Sequence, residues 1–350
     1  MTVLLRHYDM EGPGDARGLA AALAGLPPGR IRRIAVLGKT EGTATLNDFS
    51  RDLAIAATQA ALGGREATLI FSTGCEGVIT PHGTLMVEME TPRDPAGPAR
   101  LALGVAATAP IPVEEYGGRG HAASVAEAVR RAMADAGASA DQVALVLVKS
   151  PVLPRRHLAT LPAERAARAG STPTSRAVAA LGAGIALGEV AEDRVTDAAI
   201  LRDGSLHSRR VMAFSGTELT HCEVILLANV PGAGGDLVMA TEPLSDIIDA
   251  PALMRLARRV GLAPDAAGLF TTSAPEALLV KVGVRPGGAV RGRRTTVFES
   301  ELDPDKHMRP VASGMVGAIF GTTRVFISGG AEQQAPPGGG LAAMIVRAAG

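Results

Sequence analysis

Three times along the chain, a short apolar run that ends in lysine is followed by another that ends in serine. The lysines are Lys39, Lys149 and Lys281, and the serines that follow them are Ser72, Ser215 and Ser328. Short apolar runs bounded by glycine or polar residues are typical of buried strands. An ordered pattern that recurs at long intervals indicates an internal structural repeat, which constrains the fold more than any single motif does.

Two further residue types recur in the same order. A predicted helix between the two strands carries an arginine (Arg51, Arg176 and Arg309), and a glutamate closely follows each serine (Glu76, Glu218 and Glu332). Alternating strands and helices predict an α/β protein with three similar sheet-plus-helix units. We place these units at residues 1–100, 101–245 and 246–350, with the segment TPRDPAGP at residues 91–98 as the first linker.

Composition excludes several classes of function. The 350 residues include 35 Lys plus Arg and 35 Asp plus Glu, and there is no Trp. Zero net charge and few aromatic residues argue against nucleic-acid or membrane-surface binding. Two cysteines, Cys75 and Cys222, cannot form a disulfide framework. We see neither a secretory signal nor an apolar run of about 20 residues, so we expect a cytoplasmic protein.

The lysine and serine strands together suggest nucleophilic chemistry. A serine hydroxyl is a weak nucleophile until a neighbouring base activates it, and lysine is such a base only when its pKa falls. The sequence Gly38-Lys39-Thr40 resembles a phosphate-binding loop, but that motif needs glycine where this chain has Arg33. We therefore expect three lysine–arginine–serine sets in one central pocket.

At these residues the chain resembles the ring-opening amidohydrolases, which include cyanuric acid hydrolase and barbiturase. The motifs that carry the resemblance are GKTEGTATLNDFSR, FSTGCEGVITPH, VKSPVL, FSGTEL, VRGRR and SGGAEQQAPPGGG. It implies three homologous units around a pseudo-threefold axis, each giving a Ser–Lys pair and an arginine to one site. It also implies a homotetramer. The catalytic pair falls on Lys149 and Ser215, which we expect within hydrogen-bond reach. The substrate-binding residues that the resemblance implies are Lys39, Arg51, Ser72, Thr73, Arg176, Ser215, Gly216, Lys281, Arg309, Ser328 and Gly329.

The resemblance also implies a structural divalent cation, Mg²⁺ or Ca²⁺, near the last loop. Its ligands would include Ala331, Gln334, Ala335, Pro336 and Gly339. Family members commonly add a glutamate two residues after the third lysine, and here that position is Gly283. Without that carboxylate a hard cation loses its only charged ligand, so we expect weak or no metal binding. The chemistry itself requires no cofactor. The segment from Asp305 to Met308 also departs from the family pattern.

The leading hypothesis is hydrolytic ring opening of a cyclic amide such as cyanurate, barbiturate or a related ring. Ser215 would attack a ring carbonyl while Lys149 takes its proton. The alternative is a non-catalytic protein that binds a small cyclic amide or ureide in the same pocket. The intact Lys149 and Ser215 favour the enzyme.

Overall fold

The computed structural model describes residues 1–43, 48–92, 94, 96–299 and 301–348. Its strands form three sheets of four strands each. In the first unit the elements are β1 (Thr2–Asp9), α1 (Arg17–Leu23), β2 (Ile31–Thr40), α2 (Ser50–Leu62), β3 (Thr68–Thr73) and β4 (His82–Met89).

The second and third units extend the same plan. The second contains β5 (Ala99–Ala107), α3 (Arg119–Ala136), β6 (Val143–Pro151), α4 (Arg155–Leu158), α5 (Ala163–Ala169), α6 (Thr172–Ala186), β7 (Val211–Gly216) and β8 (Glu223–Pro231). The third contains β9 (Leu237–Leu244), α7 (Ala250–Arg259), β10 (Ala277–Val282), α8 (Pro304–Phe320), β11 (Phe326–Gly329) and β12 (Gly340–Arg347). Short 3₁₀ turns occur at Pro28–Arg30 and Glu192–Arg194.

All three sheets have the same topology. The strand orders are β1-β4-β2-β3, β5-β8-β6-β7 and β9-β12-β10-β11. In each sheet the second and third strands are parallel, and the fourth lies antiparallel between the first and the second. Parallel neighbours need a crossover, and in each unit it contains the helix that carries the repeated arginine. The α/β class and the three homologous sheet-plus-helix units around a pseudo-threefold axis are therefore confirmed.

The predicted boundary at 245/246 does not coincide with the division between sheets. The strand β9 pairs with β12 over its whole length, so it belongs to the third sheet. The prediction assigned this strand to the second unit because the glycine-rich turn before it, residues 231–236, read as an internal loop. Strand pairing moves the division to that turn. The first division agrees more closely, since β5 begins at Ala99.

The core has an inner and an outer layer. One face of every sheet contributes to a single inner cluster, which includes Ala35, Leu145 and Leu279. The opposite faces are covered by the helices of their own units, where Val36 and Val146 pack. Because successive strand residues point to opposite faces, burial of both faces requires the continuous apolar runs seen in the sequence. Within the described residues, we find no helix long and apolar enough to cross a membrane.

Candidate active site

The three repeated lysines lie on the inner faces of their sheets. In β2, Ala35 and Leu37 belong to the inner cluster, and Lys39 is the next residue of that alternating series. The strands β6 and β10 place Lys149 and Lys281 in the same way. All three side chains are at most 2% exposed. A buried ammonium must have polar partners, so the surroundings of each lysine carry chemical information.

In the first and third units the lysine binds the serine of its own unit. Lys39 Nζ lies 3.2 Å from Ser72 Oγ, and Lys281 Nζ lies 3.1 Å from Ser328 Oγ. Both pairs sit opposite each other in their parallel ladders. Lys39 Nζ also donates to the carbonyl of Thr73 at 3.0 Å. Strand register therefore forms these two Lys–Ser pairs as the sequence predicted.

The second unit differs. Lys149 Nζ donates to the carbonyl oxygen of Ser215 at 3.3 Å rather than to its hydroxyl, and to the carbonyl oxygen of Phe71 at 3.0 Å. It also forms an ion pair of 2.8 Å with Glu218. The ladder explains the difference, because Lys149 lies opposite Phe214, one residue before Ser215. The expected hydrogen bond between Lys149 Nζ and Ser215 Oγ is thus absent from the described contacts.

The three arginines and the three glutamates form a closed ring of ion pairs. Each arginine binds the glutamate that follows the serine of the next unit. The pairs are Arg51 with Glu218 at 2.9 Å, Arg176 with Glu332 at 2.7 Å and Arg309 with Glu76 at 2.6 Å. The second and third are bidentate, with two bonds each. Glu218 is shared between Arg51 and Lys149, which makes Lys149 the lysine with a carboxylate in direct contact.

These contacts surround a central cavity of about 240 Å³. Nine of the residues predicted to bind substrate line it, together with the predicted base Lys149; the nine are Arg51, Ser72, Thr73, Arg176, Ser215, Lys281, Arg309, Ser328 and Gly329. Lys39 lies behind Ser72, outside the lining, and Gly216 packs against the Glu218 carboxylate. Residues 44–47 of the first motif lie outside the described residues. The structure brings together segments that are up to 286 positions apart in sequence, from Thr43 to Gly329.

Sequence reasoning missed several residues of the cavity wall. Phe71 and Phe214 precede the serines, and the Phe214 ring lies 4.6 Å from Lys281 Nζ in a cation–π contact. Thr172 and Asp305 come from the helices that carry the arginines. Each stands four residues before its arginine, one turn earlier on the same helix face, so helical periodicity was the signal that could have found them.

Burial changes the acid–base behaviour of the lysines. Burial and the charge of Arg309 lower the pKa of Lys39 to about 7. Burial and Arg51 lower the pKa of Lys149 to about 8, while Glu218 acts in the opposite direction. The pKa of Lys281 also falls well below its ordinary value, chiefly through burial. With pKa values of about 7 and 8, Lys39 and Lys149 can serve as bases close to physiological pH.

The residues expected to hold a cation are engaged with one another. Gln334 Oε1 accepts the backbone N–H of Ala213 at 2.8 Å, and its Nε2 donates to the carbonyl of Gly330 at 3.1 Å. Gln334 N in turn donates to the carbonyl of Ala331 at 3.1 Å. The side chain therefore joins the last loop to the second sheet instead of presenting a free oxygen.

The rest of the predicted cation site is similarly closed. The carbonyls of Pro336 and Gly339 accept N–H bonds from Gly339 and Gly283, at 2.8 and 3.0 Å. Ala335 is buried in the same loop. No group of three or more His, Cys, Asp or Glu side chains suited to a metal occurs within the part of the chain that the structure describes. The loop offers a hard cation neutral oxygens without the carboxylate that is missing at Gly283, so weak or no metal binding stays a prediction.

Comparison with known proteins gives consistent matches along the whole chain. A family model described as "Amidohydrolase ring-opening protein" matches residues 5–347. A cyanuric acid amidohydrolase from Methylobacterium sp. (strain 4-46) is 38% identical, with 97% of this chain and 96% of the relative covered. A cyclic amide hydrolase from Azorhizobium caulinodans is 35% identical, with 99% and 100% covered. The crystal structure of a cyanuric acid hydrolase from A. caulinodans superposes with a TM-score of 0.88 at 33% identity, covering 100% of this chain and 99% of that one.

Proposed function

The chain belongs to the ring-opening amidohydrolase family, and from that premise we propose that it opens the ring of a small cyclic amide by hydrolysis. The observation that carries the proposal is the central cavity, which is lined by three serines, three arginines and three lysines from the three units. Drug-sized ligands occupy pockets of about 300–1,000 Å³. A cavity of about 240 Å³ suits a single small ring.

The arrangement matches the chemistry of a cyclic ureide or triazine ring. Such a ring carries carbonyl oxygens around its rim, and each unit offers a serine hydroxyl and nearby cations to one of them. Donors fixed in a buried site stabilise the negative charge that develops on an oxygen during acyl transfer. Cyanurate and barbiturate are the first substrates to test. Cyanurate gives several of the relatives their names, and both rings carry carbonyl oxygens around the rim.

We assign the nucleophile to Ser215 and the base to Lys149. The Ser215 hydroxyl attacks a ring carbonyl carbon, and its proton passes to the neutral amine of Lys149. Collapse of the tetrahedral intermediate breaks the ring C–N bond, and Lys149 returns the proton to the leaving nitrogen. Water then hydrolyses the acyl-enzyme. Lys149 Nζ lies 3.3 Å from the carbonyl oxygen of Ser215, which places the amine beside this residue.

The other two pairs would hold and polarise the ring. Lys39 binds Ser72, and Lys281 binds Ser328, so these hydroxyls are already fixed by a hydrogen bond. The Arg–Glu ion pairs join the three units around the cavity. The same resemblance predicts a homotetramer, which light scattering on the purified protein would measure directly.

The test is a ring-opening assay over a panel of cyclic ureides, imides and triazines, followed by serine variants. We expect Ser215→Ala to abolish turnover while folding survives, because the covalent route is lost. Ser72→Ala and Ser328→Ala should remain active but lose roughly 2–4 kcal/mol of transition-state stabilisation each, as lost oxyanion donors do. Lys149→Ala combined with Ser215→Ala should be little worse than either change alone.

Two outcomes would contradict parts of this proposal. Near-normal turnover in Ser215→Ala, with loss in Ser72→Ala, would move the nucleophile to the first unit, where the Lys–Ser bond is already formed. Tight binding of a ring without turnover by the wild type would favour the non-catalytic alternative.

A further inference from the structure

On the arginine helices of the second and third units, one further position faces the cavity together with the arginine. In the second unit it is occupied by Thr172 and in the third by Asp305, each exactly one helical turn before Arg176 and Arg309. The equivalent position of the first unit, 47, lies outside the described residues. The Arg–Glu pairs recur in all three units, whereas this position gives the second and third walls of the cavity different chemistry.

Asp305 is held firmly in the cavity wall. Its side chain packs against the backbone of Gly329, where a Cβ atom would lie 2.6 Å from the Asp305 carboxyl carbon. Its backbone N–H donates to the Asp303 side chain at 2.8 Å, in the N-terminal turn of α8. Asp305 lines the same cavity as Ser328, the serine of the third unit.

The Asp305 carboxylate keeps hydrogen-bonding capacity for a ligand. Its nearest contact with Arg176 is 3.8 Å, which is longer than a hydrogen bond, because Arg176 gives its bidentate contact to Glu332. Burial raises the pKa of Asp305, against the opposing charges of Arg176 and Lys281. An acceptor in this position is matched by an N–H donor on the ligand.

We propose that Asp305 is a specificity-determining residue that accepts a hydrogen bond from a ring N–H beside the carbonyl held by Ser328. The preferred ligands are therefore cyclic ureides or imides whose ring nitrogen carries hydrogen, and a ring alkylated at that nitrogen is rejected. A site that pairs a buried polar group with its ligand discriminates strongly against an analogue that leaves the group unpaired. This inference rests on the proposed function, because it describes the same cavity.

The experiment measures binding by calorimetry for two matched probes, cyanurate and its fully N-methylated counterpart. The variants are Asp305→Asn, which keeps an acceptor oxygen, and Asp305→Leu, which removes it at similar size. The control is Asp52→Asn, which also removes a carboxylate from the first turn of an arginine helix, but an exposed one. Thermal unfolding of every variant reports whether the fold survives.

We expect the wild type and Asp52→Asn to bind cyanurate alike and to reject the methylated ring. Asp305→Leu should weaken cyanurate binding by at least about 10-fold, and Asp305→Asn by less, while affinity for the methylated ring stays the same or rises. Unchanged cyanurate affinity in a folded Asp305→Leu variant overturns the inference, as does an equal loss for both probes. A different result would refute the proposed function and leave this inference standing: the wild type would bind cyanurate but open no ring in the panel.

Discussion

Replacement of Glu218 by glutamine tests which lysine is the catalytic base. Glu218 is the carboxylate in direct contact with Lys149, at 2.8 Å, and it also forms an ion pair with Arg51 at 2.9 Å. It is 7% exposed, and although burial alone would raise its pKa, Lys149 and Arg51 keep it ionised. Glutamine keeps the size of the side chain and removes its charge.

The direction of the effect follows from the charges. Glu218 raises the pKa of Lys149, while burial and Arg51 lower it, and the net value is about 8. At 2.8 Å a pair of unit charges interacts by roughly 6 kcal/mol at an effective dielectric constant of about 20. Solvation of the separated charges offsets much of this, and one neighbouring charge typically shifts a pKa by about 1–3 units. We therefore expect the pKa of Lys149 to fall by that amount in Glu218→Gln.

The assay is the pH dependence of kcat/KM on the best ring of the panel. A lysine base works when it is neutral, so activity falls as pH drops through its pKa. The acid limb of the profile should move to lower pH in Glu218→Gln by about 1–3 units. The matched control is Glu76→Gln, since Glu76 pairs with Arg309 and has no lysine in direct contact among the described ion pairs.

If the base is Lys39 and not Lys149, the two variants should exchange their effects on the acid limb of the pH profile. Glu76 raises the pKa of Lys39, so an acid limb that moves in Glu76→Gln but not in Glu218→Gln would identify Lys39 as the base. An unchanged limb in both variants would refute the reasoning that a lysine titrates in catalysis. Unfolding curves at each pH separate these results from loss of structure, because breaking a buried ion pair can cost about 3–5 kcal/mol.

Three further predictions concern stability and the last loop. Folding lowers the pKa of Lys39 from 10.5 to about 7. Between about pH 7 and pH 10.5 the unfolded chain therefore binds more protons than the folded chain. The free energy of unfolding rises with pH across this range. Lys39→Met should remove this pH dependence and stabilise the protein at pH 6 by at most about 5 kcal/mol. Denaturant unfolding at pH 6 and 9 measures both effects. An unchanged pH dependence in the variant would contradict the lowered pKa of Lys39. Because Gly283 supplies no carboxylate, chelation with EDTA should leave activity and Tm unchanged, and a tightly held ion found by elemental analysis would contradict this. Gln334→Ala should cost about 1–3 kcal/mol, since the buried N–H of Ala213 loses its acceptor, and addition of Mg²⁺ or Ca²⁺ should not restore the loss.

Much of the fold could be predicted from the sequence because the repeated elements are local patterns. Apolar runs that end in Lys39, Lys149 and Lys281 predicted buried strands, and the helices between them predicted the crossovers. These signals depend on a few consecutive residues, so they can be read without knowledge of distant contacts. The predicted boundary at 245/246 falls after β9, whereas the sheets divide before it. The sheet that β9 joins is set by its pairing with β12, which follows more than 90 residues later in the chain.

The residues of the candidate site were predictable as types, since lysine, serine and arginine recur in order, but their contacts were not. The one-residue register of β7 against β6 puts Phe214 opposite Lys149, and a slip of one residue changes which face of a strand a side chain occupies. The ring of Arg–Glu pairs joins each unit to the next and exists only when three sheets share one core. Sequence thus determined which chemical groups are present, whereas tertiary packing decided their partners. Hydrogen bonds and ion pairs act over a few ångströms, and the chain separates the segments that form them by up to hundreds of residues.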